Sequence, residues 1–548
     1  MKKNGPKNRA LAVAMATAMV GTALAGCGAS STSSTAPTDS TSSSAGTVSA
    51  DKPYAGTTLT WYTVLNGNVS DNYANLGDTP WAKYVEEQTG IHIEFQHPTQ
   101  GTDAEAQAFS IMVASGEYPD IIEYTWPKYT GGAGAAINDG VIIALDDYME
   151  EYAPNFSKIL EEYPDIAKMV KTSNGNYFCF PCLRGLTTPN KTEFSSGLIY
   201  RADVLKELGF DTVPETIDEW EAFLRAAKEA GYSKPFTTRL EWVKDVWSPA
   251  FDNWGSFYVE DGVAKNGLIE DSRKDFIEKM AEWYADGLLD NDWMQADKSS
   301  NQTDFVSGNS VLVYAPFGQG LGNYAKAMNE ADPSFSIDNI QGAAPVTSTK
   351  GEYAKFSKMN DIFDKSTSSA AISTQCKNVE AAMWLLDWMY SEEGQLCYNF
   401  GIEGESYEMV DGKPVYTDLI MNNPDGWSSA QALAAYTRAS TNGCGIQSED
   451  YIDQYYAQDN QKKALELSTH TKMGDHMYPP TSVSEEDQSR YTEIMNQVNT
   501  LSDEMEASFI CGTTPISEWD NYQQKLRDAG IEEAIQMMQD AYDAYMAN

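Results

Sequence analysis

Apolar residues along the first third of the folded chain switch between the spacing of a strand and the spacing of a helix. Thr79 and Pro80 provide an N-cap and a first helical proline, and Gly90 ends that helix. The pattern predicts strands at 58–64, 91–95 and 120–125, with helices at 80–89 and 103–115 between them. This β-α-β-α-β order predicts a parallel sheet covered by helices. Ligands of such sheets bind beyond the carboxyl ends of the strands, which here are 65–68 and 124–127.

A second α/β region follows. Asn174 and Gly175 predict a hairpin turn, and Thr216 with Glu219 forms the capping box of a helix that Gly231 ends. The pattern predicts strands at 177–181, 198–200 and 311–315, helices at 203–208 and from Asn378 onward, and several packed helices from Glu449 to the C-terminus. The predicted fold class is therefore α/β throughout.

One apolar run differs from all of these. Residues 10–25 are small and apolar, and four basic residues precede them. The run is too short to cross a bilayer. A basic start followed by a short apolar run is typical of a secretory signal. Leu24-Ala25-Gly26-Cys27 resembles a bacterial lipobox. We expect a signal peptide at 1–26 and acylation (palmitate) of Cys27, which would anchor the chain on the outer face of the cell membrane. Residues 27–54, rich in Ser and Thr, predict a flexible linker.

The length and net charge of the chain limit the possible folds and functions. The chain has 548 residues, so its folded part is longer than a single core supports, and two lobes are expected. The net charge is −42, and it becomes more negative when the basic residues before the apolar run are removed. Such a field repels phosphate backbones, so nucleic acid is not an expected partner.

Six cysteines follow the lipobox, an even number that permits three disulfides of undetermined pairing. We interpret them as structural, with a local Cys179–Cys182 bridge as one alternative. The four histidines have no ligand spacing to these cysteines, and the acids at Asp290 and Asp292 are typical of a solvated loop. We therefore predict no metal, no cofactor and no catalytic residue.

Several stretches of the chain, in order, resemble the extracellular solute-binding proteins of carbohydrate-uptake ABC importers (family 1, maltose-binding-protein-like). They are Tyr118-Pro119-Asp120-Ile121-Ile122, Leu198 to Leu205, Pro214 to Trp220, Gly308 to Val313, and Lys377-Asn378-Val379-Glu380-Ala381-Ala382 with Leu385-Leu386-Asp387-Trp388. Gly401 to Tyr407 and Asp411 to Tyr416 resemble a lipoprotein subgroup of that family.

The resemblance implies a two-lobe periplasmic-binding-protein-like (type II) fold with a hinge and an inter-lobe ligand cleft. Lobe 1 would be 55–171 and 366–425, and lobe 2 would be 172–365 and 426–548. The implied function is capture of a sugar or oligosaccharide and its delivery to the transmembrane permease subunits. We expect a monomer that closes by a hinge motion.

A sugar site needs flat aromatic rings and side chains that donate and accept hydrogen bonds. Residues near strand ends are predicted ligand contacts: Asn66, Trp126 and Arg184. One tryptophan of an aromatic stretch between clear elements is expected to stack on the ligand, and the candidates are Trp242, Trp247 and Trp254. The resemblance adds Tyr200 near the hinge and Phe317 as an aromatic platform, and a Gly-bounded loop adds Tyr407.

Two other functions fit the same sequence. A glycoside-acting enzyme would need two fixed carboxylates, and a chain with 80 acidic residues does not single out a pair. A binding protein for peptides or another non-sugar solute would have similar aromatic content, because packed cores use the same residues.

Overall fold

The alternating pattern of the first region folds into a four-stranded sheet. A computed structural model describes residues 52–99, 101–363, 368–481, 483–484 and 486–547, without the side chains of 102, 103, 240, 241 and 298. The predicted signal peptide, Cys27 and nearly all of the predicted linker lie outside these residues. Among the described residues, no helix is both long enough and apolar enough to cross a membrane.

The strands of the described residues are β1 (Thr58–Tyr62), β2 (His92–Gln96), β3 (Ile121–Tyr124), β4 (Cys182–Arg184), β5 (Ser196–Arg201), β6 (Phe236–Thr237), β7 (Phe257–Glu260), β8 (Val263–Asn266), β9 (Leu312–Pro316), β10 (Ile340–Gly342), β11 (Ser369–Ile372), β12 (Tyr407–Val410), β13 (Lys413–Tyr416) and β14 (Gly445–Gln447).

The α-helices are α1 (Gly67–Ser70), α2 (Pro80–Thr89), α3 (Thr102–Ser115), α4 (Gly132–Asn138), α5 (Asp146–Tyr152), α6 (Pro154–Glu162), α7 (Pro164–Met169), α8 (Ala202–Glu207), α9 (Ile217–Glu229), α10 (Leu240–Trp247), α11 (Asp271–Ala285), α12 (Lys298–Val306), α13 (Ala325–Ala331), α14 (Val379–Trp388), α15 (Glu392–Phe400), α16 (Asp418–Met421), α17 (Ser429–Tyr436), α18 (Glu449–Tyr455), α19 (Asp459–Ser468), α20 (Met473–His476), α21 (Gln488–Ile510), α22 (Trp519–Asp528) and α23 (Ile531–Ala547).

The first sheet has the order β11-β3-β1-β2, with β1 parallel to β2 and β3, and β11 antiparallel to β3. The second sheet has the order β10-β5-β9-β6, with β5 antiparallel to both of its neighbours and β6 parallel to β9. We call each sheet, with the helices packed on it, the first lobe and the second lobe. The predicted α/β class is confirmed.

Local sequence explains where the early helices begin and end. The hydroxyl of Thr79 accepts from the backbone N–H of Ala82 at 3.3 Å, and Gly90 ends α2 with φ 71°, a left-handed conformation that glycine adopts without strain. At α9, the carboxylate of Glu219 accepts from the backbone N–H of Thr216 at 3.4 Å, as the capping box predicts.

The chain segments that connect the lobes lie side by side around β4, and we call them the hinge. Strand β4, which precedes β5 in the chain, pairs in parallel with β14, and its Leu183 forms an isolated bridge with Phe363. Phe180 forms another bridge with Ala370 of β11. The predicted strand at 177–181 is therefore displaced: the chain makes single bridges there, and its regular pairing begins at Cys182.

Separate hydrophobic cores lie on the two sheets. The first core includes Trp61 and Trp81, and the second includes Trp220, Trp247 and Trp283. A third cluster joins β9 and the segment after it to β12, β13 and the helices that follow them. The lobe boundaries expected from the sequence stay a prediction, because this third cluster combines residues from both predicted lobes.

Candidate ligand-binding cleft

The ends of the two sheets define a common edge. In the first lobe, the carboxyl ends of β1, β2 and β3 lie beside the amino end of β11. In the second lobe, the carboxyl ends of β6, β9 and β10 lie beside the amino end of β5. The connecting segments lead into the amino ends of β5 and β11, so both edges border the space between the lobes. This is where α/β folds bind ligands.

The second-lobe edge carries a cluster of aromatic and cationic side chains. Arg239 is the N-cap residue of α10, and its guanidinium carbon lies 3.4 Å from the centre of the Trp242 ring. Trp242 meets Tyr314 edge to face, with ring centres 5.3 Å apart. We call Arg239, Trp242 and Tyr314 the second-lobe cluster. Trp242 is half-buried, so part of its indole remains open to a ligand.

Hydrogen-bonding groups surround this cluster. The hydroxyls of Ser196 and Tyr314 are 3.0 Å apart, and Asp245 forms an ion pair with Lys358. Burial raises the pKa of Tyr314, so its phenol stays protonated and keeps its hydrogen bond with Ser196. Ser196, Asp245, Tyr314 and Lys358 line a small cavity of about 40 Å³. Flat rings beside hydroxyl and charged groups suit the apolar faces and hydroxyl rims of sugars.

The first-lobe edge is also aromatic. Phe109 of α3 stacks on Tyr124 at the end of β3, with ring centres 3.4 Å apart. Burial, and then the neighbouring Tyr124, raise the pKa of Tyr62 to about 12. Asn66, four residues after the end of β1, caps α1 by accepting from the backbone N–H of Asn68 at 2.9 Å. Asn66 is only partly buried.

The hinge and the chain between β4 and β5 carry polar side chains that are held by hydrogen bonds. Arg184 donates from Nη1 to the side-chain oxygen of Gln447 at 3.2 Å. The carboxylate of Glu193 accepts from the backbone N–H of Asn190 at 2.7 Å and from the Thr188 hydroxyl at 3.0 Å. Burial raises the pKa of Glu193 to about 7, although these hydrogen bonds favour its ionised form.

Four of the predicted ligand contacts are partly exposed in the structure. They are Asn66, Arg184, Trp242 and Trp254. Trp254 stacks on Phe356, with ring centres 6.4 Å apart. The structure brings Trp242 together with Arg239 and Tyr314, and it places Ser196 beside Tyr314. The sequence reasoning did not single out these three partners, nor Asp245 and Lys358 of the cavity that Tyr314 lines.

Two predicted tryptophans are core residues instead. Trp126 has no exposed surface, and its Nε1 donates to the backbone oxygen of Ser369 at 2.9 Å. Trp247 is also fully buried and packs on Trp283, with ring centres 4.8 Å apart. Exposing a ring of roughly 200 Å² would cost about 5 kcal/mol, so each indole stabilises the core of its own lobe and does not face a cleft.

The three positions taken from the family resemblance or the glycine-bounded loop are corrected in the same way. Tyr200 packs on Trp220 in the second core, with ring centres 6.0 Å apart. Phe317 is fully buried, and a Cβ at Gly197 would lie only 2.8 Å from its ring. Tyr407 begins β12 and packs on Phe400, so it is a strand residue and not a loop residue.

The cysteines and the acidic pair at Asp290 and Asp292 also have structural roles. The six cysteines in the described part of the chain form no disulfide with one another, so the alternative of a Cys179–Cys182 bridge is wrong. Asp290 and Asp292 bond to the ammonium of Lys234 at 3.1 and 3.3 Å. Within the described part of the chain, no group of three or more histidine, cysteine, aspartate or glutamate side chains is arranged to hold a metal ion.

These edges and the hinge between them define a two-lobe binding fold of the type that encloses small solutes. The chain belongs to the bacterial extracellular solute-binding protein family, whose model matches residues 72–396. It is 25% identical over 378 residues to Lipoprotein LipO of Bacillus subtilis strain 168, covering 66% of this chain and 70% of that protein.

Two further relatives extend over most of the chain. The fructooligosaccharide ABC transporter substrate-binding protein FusA of Streptococcus pneumoniae serotype 4 is 22% identical over 494 residues, covering 85% of this chain and 86% of FusA. An HMO-binding solute-binding protein from Bifidobacterium longum infantis ATCC 15697 has a similar fold, with a TM-score of 0.70 and 20% identity. That alignment covers 89% of this chain and 99% of the other. The predicted two-lobe solute-binding fold is confirmed.

Proposed function

We propose that this protein captures an oligosaccharide between its lobes and delivers it unaltered to the permease of an ABC importer. A lipid on Cys27 would hold the protein at the extracellular face of the membrane. The observation that carries the proposal is the second-lobe cluster, where a partly open indole adjoins a guanidinium and a buried phenol. The indole offers a sugar a flat apolar surface, and the partly exposed guanidinium offers hydrogen bonds to its hydroxyls, while the buried phenol supports the indole edge to face.

The relatives support a sugar as the solute. FusA is named for fructooligosaccharides, and the Bifidobacterium protein is described as HMO-binding. The aromatic and polar character of both cleft edges is the chemistry that such ligands require. A sugar is therefore preferred over a peptide or another solute.

Calorimetry tests the ligand class. The purified Cys27→Ala protein is titrated with fructo-, malto- and milk-type oligosaccharides and with a peptide mixture. We expect binding to one glycan class, and we expect Trp242→Ala to weaken it at least about tenfold. The matched control is Tyr353→Ala, because Tyr353 is 53% exposed and stacks on His470 away from the second-lobe cluster. Binding of peptides alone would refute the sugar assignment.

The same samples test transport against catalysis. The bound glycan is recovered after prolonged incubation and its chain length is measured. A binding protein returns the glycan intact, whereas a glycosidase returns shortened products. Shortened products that Trp242→Ala abolishes would replace this proposal with an enzymatic one.

Membrane fractionation tests the anchor. We expect the wild-type protein in the detergent-soluble membrane fraction and Cys27→Ala in the aqueous fraction. Cys511→Ala is the control, since it removes a thiol from the folded body and leaves Cys27 in place. Retention of the Cys27→Ala protein in the membrane fraction would contradict lipid anchoring.

A further inference from the structure

A second cavity lies where the C-terminal helix reaches the first lobe. Its volume is about 180 Å³. The first-lobe wall begins at Pro127, three residues after the end of β3, and continues through the start of α4, the end of α7 and the residues that follow it. Phe363, which bridges to Leu183 in the connecting segments, also lines it. The cavity therefore adjoins both the cleft edge of the first lobe and the hinge.

The opposite wall comes from α23, which is attached to the second lobe. Gln539 of α23 accepts from the backbone N–H of Ala264 in β8 at 2.7 Å. The Tyr478 hydroxyl donates to the backbone oxygen of Met538 at 2.6 Å, and both residues pack with Val259 of β7. Helix α23 also packs along α21, whose residues belong to the second core. These contacts make α23 a fixed part of the second lobe.

The last turn of α23 extends across to the first lobe. The Lys168 ammonium of α7 lies 5.7 Å from the centre of the Tyr545 ring. Burial, and then the charge of Asp165, raise the pKa of the Tyr545 phenol, so the ring stays neutral beneath the ammonium. The two walls of the cavity thus belong to different lobes, and a hinge motion changes the distance between them.

The lining has the chemistry of a sugar subsite. Tyr545 provides a partly exposed ring, Phe178 and Phe363 form an apolar floor, and Thr172, Ser173 and Ser484 provide hydroxyl groups. We infer that this cavity is an end subsite of the cleft, which takes a terminal sugar unit of the bound oligosaccharide and is closed by the last turn of α23. This assignment rests on the proposed function, and it makes the C-terminal helix a determinant of the preferred ligand length.

A length series separates this subsite from the main site. The glycan class that binds the wild-type protein is titrated from its disaccharide to its longest available member. Ala544→Trp places an indole at the exposed mouth of the cavity, where the helix tolerates a larger side chain. We expect about tenfold weaker binding of the longest glycan and less than about a twofold change for the disaccharide. Tyr545→Ala should show the same length dependence, because it removes the closing ring.

Met546→Ala is the matched control, since Met546 is the next residue along the helix and is 54% exposed. It should bind every glycan as the wild-type protein does. Equal losses for short and long glycans, or no loss for either, would overturn the subsite while leaving sugar capture intact. If no glycan binds the wild-type protein, the proposed function fails and the subsite fails with it.

Discussion

Arg438 donates from Nη2 to both carboxylate oxygens of Glu123, at 2.9 Å each, and both side chains are buried. Glu123 belongs to β3 and directly precedes Tyr124, the aromatic end of that strand. Arg438 precedes β14, which pairs with the connecting strand β4. The ion pair therefore ties the first-lobe edge of the cleft to the segments that carry the hinge.

Breaking this pair should destabilise the protein strongly. Glu123→Gln leaves a buried guanidinium without a counter-charge, and we expect a loss of about 3 to 5 kcal/mol in the free energy of unfolding. Urea unfolding measures it. Arg490→Ala is the control, since its pair with Glu533 is exposed and should contribute less than about 1 kcal/mol. Equal effects of the two substitutions would contradict the structural role of Glu123.

Lys234 is the second charge on which the fold depends. Its ammonium bonds to Asp290, Asp292 and Asp304, and Asp290 is buried. Lys234→Met should destabilise the second lobe at neutral pH, because the carboxylates then repel one another. Thermal unfolding at neutral pH measures this loss, and an unchanged melting temperature would contradict it.

His97 makes the first lobe sensitive to acid. Its Nε2 accepts from the backbone N–H of Leu76 at 3.1 Å while Nδ1 meets the Thr63 oxygen at 2.8 Å, an arrangement that needs the neutral ring. Burial lowers the pKa of His97 below its usual 6.5. His97 therefore binds a proton more readily in the unfolded chain than in the folded protein. Its contribution to the free energy of unfolding is complete above about pH 6.5 and declines as the pH falls below that value.

The matching measurement compares the free energy of unfolding of the wild-type protein and His97→Gln between about pH 7.5 and 5. The difference between the two should favour the wild-type protein most at the upper end and decrease toward the lower end. A difference that grows on acidification would mean that His97 is charged in the folded state.

The thiols should differ sharply in reactivity. Burial raises the pKa of Cys179, Cys397 and Cys444, which suppresses the reactive thiolate, whereas Cys511 is partly exposed. In the native Cys27→Ala protein, Ellman's reagent should titrate Cys511 first, and Cys511→Ser should remove that rapid phase. In denaturant, every remaining thiol should react. If two thiols fail to react in denaturant, the protein contains a disulfide, and the structure without one is contradicted.

The sequence was sufficient for the elements whose signals are local. Thr79 and Gly90 marked the ends of α2 because capping depends on neighbouring residues alone. The capping box at Thr216 marked the start of α9 for the same reason. The strand expected at 177–181 was displaced to Cys182, because its pairing depends on Ala370 and Gly445, which are far away in sequence.

The ligand contacts were harder to predict, because burial is a property of the whole fold. Trp242 and Trp247 are five positions apart in α10, which places them about 140° apart around the helix. One of them had to face the core, and only the position of the second sheet determines which. Arg239 could have been found from its spacing of three residues to Trp242, whereas Ser196 and Tyr314 meet only through the pairing of β5 with β9.

The central claim is that the two lobes close around a captured glycan, and small-angle X-ray scattering tests it most directly. The Cys27→Ala protein is measured with and without the glycan identified by calorimetry. The account predicts a smaller radius of gyration when the glycan is bound, and the original value after an intact glycan is dialysed away. Saturating binding with an unchanged radius of gyration would contradict it.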